Sequence, residues 1–229
     1  MTGGLITGNQ NGGAILGGTT VFTGVTVSDN FNTGGTGPGG GGLFINGNSV
    51  LVMNCVVTNN STIFNGGGIR NGGGKATIIN TTISGNTANG GGGLDTLDGG
   101  LASFLAVNLT VTNNRAGIGG GVLIESGVAK FKNSIIAGNF NANGTSPFDI
   151  SGSIDASSSH NLIGVGGSGG LTNGMNNNQV GVADPRLGPL ANNGGPTKTH
   201  ALLSDSPALD TGDNCVVDAA HCGEPTQPQ

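Results

Sequence analysis

A six-residue stretch that returns five times decides what this chain can fold into. It reads VTVSDN at 25–30, CVVTNN at 55–60, TTISGN at 81–86, LTVTNN at 109–114 and SIIAGN at 134–139. Each copy ends in asparagine (Asn30, Asn60, Asn86, Asn114, Asn139) and carries an aliphatic residue three places earlier. Four copies follow a second asparagine: Asn54, Asn80, Asn108 and Asn133. Glycine runs separate the copies and open short aliphatic segments, as in GGGIRN (66–71), GGGLDT (91–96) and GGGVLI (119–124). A recurrence of this kind marks a repeat architecture, in which each unit buries its apolar face only by stacking on the next.

The terminal asparagines stand 30, 26, 28 and 25 residues apart (30 to 60, 60 to 86, 86 to 114, 114 to 139). That length, with short β-branched runs, fits a β-solenoid coil of three strands and three turns. The asparagine and glycine content and the lack of a 3.6-residue period exclude helical repeats. Leucine-rich repeats are similar in length, but their leucine ladder and helical return are missing. Only 8% of residues are charged and 49 of 229 are glycine, a composition that otherwise suggests disorder. The periodic aliphatic positions argue against disorder, because stacked they form one continuous core. The expected fold is therefore all-β: a right-handed parallel β-helix of six or seven coils, each of about 25–30 residues.

Strand positions follow from the repeat. The first strand of each coil is expected at 14–16, 43–45, 69–71, 94–96 and 122–124, and the second at 21–23, 50–53, 76–79, 104–107 and 129–132. The third is the recurring stretch itself. In AKFK (129–132), Lys130 and Lys132 must face solvent, so Ala129 and Phe131 face the core. Carried through the stack, the inward residues are Phe22, Val52, Ile78, Ala106 and Phe131, joined by Val27, Val57, Ile83, Val111 and Ile136 of the third strand. The two asparagine sets suit turns with left-handed backbone and can stack as hydrogen-bonded ladders. Residues 1–164 form the repeat region, 165–183 a Gly/Asn-rich loop, and 184–229 leave the repeat register. This last segment holds most of the prolines and is expected to cap the C-terminal end, where an open solenoid exposes core and strand edges.

The GGGI-type opening with N-x-T-[IV]-x-x-N resembles polymorphic outer-membrane protein repeats and related right-handed parallel β-helix proteins. HNLIG (160–164), DPRLGPLANNGGPTKTHALL (184–203) and SPALDTGD (206–213) are similar to the choice-of-anchor Q type of bacterial surface and secreted β-helix proteins. Together these motifs cover nearly the whole chain. The resemblance implies an exported, extracellular or cell-surface protein with no general catalytic activity. Signal peptide and anchoring signal are not recognised in this chain, whose opening MTGGLITGNQ has the look of a fragment start.

Chemistry is sparse. The span of the five copies, 25–139, offers Asp29, Asp95, Asp98 and Glu125 as acids and Arg70, Lys75, Arg115, Lys130 and Lys132 as bases. Asp95 and Asp98 are expected to be solvated turn residues, so no catalytic residue is assigned; a polysaccharide lyase or hydrolase is the alternative to a structural role. No cofactor is expected. Calcium has two carboxylate pairs to consider, Asp95/Asp98 and Asp210/Asp213, and neither matches an EF-hand loop or a GGxGxD repeat. Cys55 is expected as a buried free thiol, while Cys215 and Cys222 close a short loop suited to a disulfide in an oxidising compartment, with two free thiols as the alternative. Net charge is −5, which gives no footprint for nucleic acid, and no apolar run reaches the ~20 residues of a membrane helix.

Two outward surfaces stand out. The second strand presents an apolar strip, Leu51, Met53, Thr77, Ile79, Leu105 and Val107, as a candidate interface for another copy, a filament contact, or a surface glycan or protein. The third strand presents Thr26/Ser28, Val56/Thr58, Thr82/Ser84, Thr110/Thr112 and Ile135/Ala137, a threonine-rich ladder of the kind that ice-binding solenoids use, though threonine also suits any parallel sheet.

Overall fold

The structure, a computed structural model, describes residues 1–34, 39–97 and 103–213. Cys215 and Cys222, Asp98 and the end of the expected capping segment lie outside the described residues. The chain is a β-solenoid of parallel strands with about five turns, fewer than the six or seven expected. Shorter pieces extend it at both ends. Thr2–Thr7 adds a strand before the first full turn, and Ile150–Ser151, Leu162–Gly164 and Gln179–Val182 add strands after the last.

The first-strand stack pairs Leu43, Ile69, Leu94, Val122 and Ile150 in register. The second pairs Phe22, Val52, Ile78, Ala106 and Phe131, and the third Val27, Val57, Ile83, Val111, Ile136 and Ile163. All of these side chains are buried in one core running the length of the solenoid. The inward parity read from AKFK therefore holds through every turn. Neighbouring layers are about 4.8 Å apart, so stacked side chains touch, and the two phenylalanines of adjacent turns are offset by alanines. Phe104 sits over Ala129 and Ala106 over Phe131, and the two rings settle in a tilted contact 5.9 Å between centroids.

Each turn also has a fourth short strand, which the sequence did not announce. Phe31–Asn32, Ser61–Thr62, Thr87–Gly90, Arg115–Ile118 and Phe140–Asn141 form a separate parallel sheet.

Two columns of left-handed backbone turn the corners. One is Asn54, Asn80, Asn108, Asn133, His160 and Asn177, with φ between 46° and 57°. The other precedes each repeat-ending asparagine and includes Asp29, Asn59, Gly85, Asn113 and Gly138. Asparagine, aspartate and glycine tolerate this conformation, which explains why the repeat reads D/N/G at these places.

The repeat-ending asparagines point inward and build a ladder. Asn30, Asn60, Asn86 and Asn114 each donate Nδ2 to Oδ1 of the next asparagine, at 2.9, 3.0, 2.9 and 2.9 Å. The backbone N–H of each donates to the same oxygen. The second Nδ2 proton returns to a carbonyl of the preceding turn, as from Asn86 to Val57 O at 3.0 Å. Asn9 extends the ladder at one end and Asp149 closes it at the other. Opposite each amide lies a glycine that leads into the first strand of the same turn. A Cβ on Gly93 would stand 2.9 Å from Asn114 Nδ2 and 2.7 Å from Gly121 O, so the side chain must be absent there. The glycine run and the asparagine are thus two halves of one close contact.

The described part of the segment expected as an end cap, 184–213, lies along the flank. Leu187–Ala191 and Thr199–Leu202 form an antiparallel hairpin. Thr197 Oγ1 donates to Asn54 O at 3.3 Å, His200 Nε2 meets Ser84 Oγ at 3.0 Å, and Asp213 N donates to Asn133 Oδ1 at 2.8 Å. These anchors fall on three turns in order along the solenoid, so 184–213 runs as a strap across its side. The expected loop at 165–183 is also partly ordered into the stack: Gln179–Val182 pairs with Leu162–Gly164, and Asn178 accepts from Asn161 Nδ2 at 2.9 Å.

Candidate functional site

The outward column of the first strand brings Phe44, Arg70, Asp95 and Leu123 into register. An outward residue on a solenoid is normally wet, yet Asp95 is 0% exposed. Glycine segments that lead into the first strands fold over this column; Gly66 lies against Arg70 and Gly91 against Asp95, each too close for a Cβ. Beneath them, Arg70 Nε stands 3.2 Å from Asp95 Oδ2. Asn65 Nδ2 donates to Glu125 Oε1 at 2.7 Å. Burial, then the neighbouring charge and hydrogen bond of Glu125, push the Asp95 carboxyl up to about 8 despite the opposing pull of Arg70.

Asp95 therefore keeps its proton at neutral pH, with both carboxyl oxygens buried. The expectation of a solvated turn residue is corrected: Asp95 is a buried strand residue. Glycosidic carboxyls flank a substrate with room between them, whereas here Asp95 is closed off from solvent. What the arrangement can do is hold a proton and tie the turns carrying Arg70, Asp95 and Glu125 together.

The candidate interface strip is not a free surface. Met53, Ile79 and Val107 are buried, and with the half-buried Leu51 and Leu105 they form a second small cluster outside the main core. Thr77 is half-buried beside them. The strap reaches this edge at Asn54, next to Met53. The threonine-rich ladder is covered as well: Ser28, Thr58, Thr82, Ser84 and Thr112 are buried, and His200 of the strap bonds to Ser84. That face is closed to an ice surface.

The inner asparagines Asn60, Asn86, Asn114 and Asn139 make the buried ladder described above. The outer set makes a looser one: Asn108 Nδ2 donates to Asn80 Oδ1 at 2.8 Å and Asn80 Nδ2 to Asn54 Oδ1 at 3.3 Å, while Asn133 is taken by the strap. Cys55 is a buried free cysteine, and burial pushes its thiol up, as suits an unreactive filler. Asp29 lies exposed at a left-handed turn. Asp210 also has positive φ, and Asp213 pairs with Asn133. Among the described residues no group of three or more His, Cys, Asp or Glu is placed to hold a metal ion, and no helix is long and apolar enough to cross a membrane.

Asp149 was missed from the sequence. It stands only 10 residues after Asn139, out of step with the repeat, and the doublets HN (160–161) and NN (177–178), whose first members continue the left-handed corner column, were not read as repeat corners. The aliphatic residues that follow each doublet were the available signal. No family model, curated protein or solved structure matches this chain.

Proposed function

We propose that the chain is a non-catalytic structural and adhesive module of an exported bacterial surface or matrix protein. The observation that carries this is the ladder from Asn9 to Asp149, which fixes every turn to the next through buried amides. Such a rod, its ladder running beside the continuous aliphatic core, holds its outer faces at set spacing, as display at a surface requires. The surface-protein motifs at 160–164, 184–203 and 206–213 support export. End-to-end stacking through the ladder is disfavoured, because Asp149 offers a buried acceptor and no amide donor to a following turn; self-assembly would use another face.

The test is to fractionate the producing bacterium and to coat beads with the purified chain. Recovery in the surface or secreted fraction, with bead adherence to cells or matrix, is expected. Cytoplasmic retention without adherence overturns the proposal. The carbohydrate-active alternative has one observation in its favour, two neighbouring acids, Asp95 and Glu125, of which Asp95 is held protonated. Release of new chain ends from a polysaccharide panel, abolished in Glu125→Gln, would establish it.

A further inference from the structure

Where the strap meets the last turns it leaves a cleft of about 500 Å³, within the size range of small-molecule sites. Its lining includes His160, Asn173, Asn177, Gln179, Asp210 and Thr211, and no aliphatic side chain. Several polar groups there have no partner among the described residues. Asn173 uses Oδ1 to accept from Val180 N, leaving Nδ2. Gln179 uses Nε2 to reach Pro207 O, leaving Oε1. Asn177 Nδ2 meets His160 Nε2 at 2.8 Å, leaving Asn177 Oδ1. His160 Nδ1 is itself buried and has no hydrogen-bond partner, with an Asp213 oxygen 3.9 Å away.

His160 is the telling residue. Every other member of its left-handed column is asparagine, namely Asn54, Asn80, Asn108, Asn133 and Asn177. The turn thus needs no imidazole, and the fold is served by asparagine in the other turns. An unused buried donor or acceptor is costly unless something fills it.

We infer that this cleft binds a neutral saccharide chain. Sugar hydroxyls both donate and accept, and they match a wall that offers free amide N–H, amide C=O and carboxylate groups held beside the imidazole. The Asp210 and Asp213 carboxylates repel an acidic sugar, and the absence of an apolar pocket leaves nothing for the side chains of a peptide. With no aromatic platform in the lining, each site is weak, and adhesion draws its strength from many copies. The site supplies a ligand for the adhesive reading and rests on that reading for its biological setting alone.

The test uses the full chain labelled with nitrogen-15. Side-chain amide signals of Asn173, Asn177 and Gln179 are followed while neutral oligosaccharides (gluco-, manno- and xylo-oligomers) and, separately, oligogalacturonates are titrated in. Saturable shifts with a neutral oligomer are expected, weakened roughly ten-fold in His160→Asn, the substitution the column itself accepts. Asp210→Asn, which also tolerates positive φ, should weaken binding without unfolding the chain. No shift with any neutral oligomer, a response to oligogalacturonate alone, or undiminished binding in both variants would overturn the inference. A chain that binds in this titration yet stays in the cytoplasm would overturn the surface proposal and not this one.

Discussion

Asn139 gives both its backbone N–H and its Nδ2 proton to one carboxylate oxygen of Asp149, each at 2.9 Å. The other carboxylate oxygen accepts from Gly166 N at 3.0 Å. An asparagine ladder has a direction, donor to acceptor, and it can stop cleanly only on a group that accepts without needing to donate. Asp149 meets that condition, and the interior asparagines do not.

The direction of the ladder makes Asn and Asp non-interchangeable in opposite ways. In Asp149→Asn an amide N–H must face Gly166 N–H, at a cost of about 1–3 kcal/mol. In Asn86→Asp a carboxylate oxygen must face Val57 O and Asn114 Oδ1, two acceptors, at a cost of about 3 kcal/mol or more. Denaturant unfolding at neutral pH should rank Asn86→Asp as the more damaging change, with partial recovery in acid, where the new carboxyl can donate.

Gly93→Ala tests the contact between the glycine run and the ladder. Its Cβ would press on Gly121 O at 2.7 Å and on Asn114 Nδ2 at 2.9 Å. Overpacking against backbone predicts a loss of about 1–3 kcal/mol or more. Gly17→Ala, whose nearest neighbour would be Asn46 O at 3.8 Å, should leave the unfolding midpoint nearly unchanged.

The proton on Asp95 predicts a pH dependence. Its folded carboxyl titrates at about 8, against an ordinary value of 3.8. Between these values the unfolded chain releases the proton and the folded chain keeps it, so stability falls as pH rises. The slope is at most about 1.4 kcal/mol per pH unit, and the curve flattens above pH 8. Burial raises Asp149 too, so it acts in the same direction. Asp95→Asn should remove the Asp95 share: unfolding midpoints measured from pH 4 to 8 should fall less steeply than in the parent chain.

Thr96 faces the core between the turns of Asn71 and Ile124, 3% exposed, with its hydroxyl lacking a hydrogen-bond partner. Thr96→Val keeps the shape and removes the unmet group, so it should raise stability by about 1 kcal/mol. Calorimetric melting would show this as a higher transition temperature.

The parts of the fold that were legible are those set by local pattern. The alternation in AKFK oriented a whole sheet, and the recurrence of Asn60, Asn86, Asn114 and Asn139 located both the corners and the ladder. Illegible parts depended on distant contacts. Segments such as Ser61–Thr62 and Thr87–Gly90 become strands through pairing with neighbouring turns, not through any aliphatic period of their own. The burial of Asp95 follows from glycine segments folding over it, and the burial of Met53 and Ser84 goes with a strap more than a hundred residues further along. An exposed strip or a threonine face cannot be inferred from strand parity alone when a later segment has somewhere to dock.

The measurement that tests the central claim most directly is hydrogen exchange of the side-chain amides, read by NMR. In the account given, the Nδ2 protons of Asn60, Asn86 and Asn114 are buried, doubly bonded and released only by unfolding of the solenoid. They should exchange orders of magnitude more slowly than the side-chain amide of the exposed Asn192, and at one common rate. Exchange as fast as that of Asn192 would contradict the ladder, and with it the rigid rod on which the functional proposal stands.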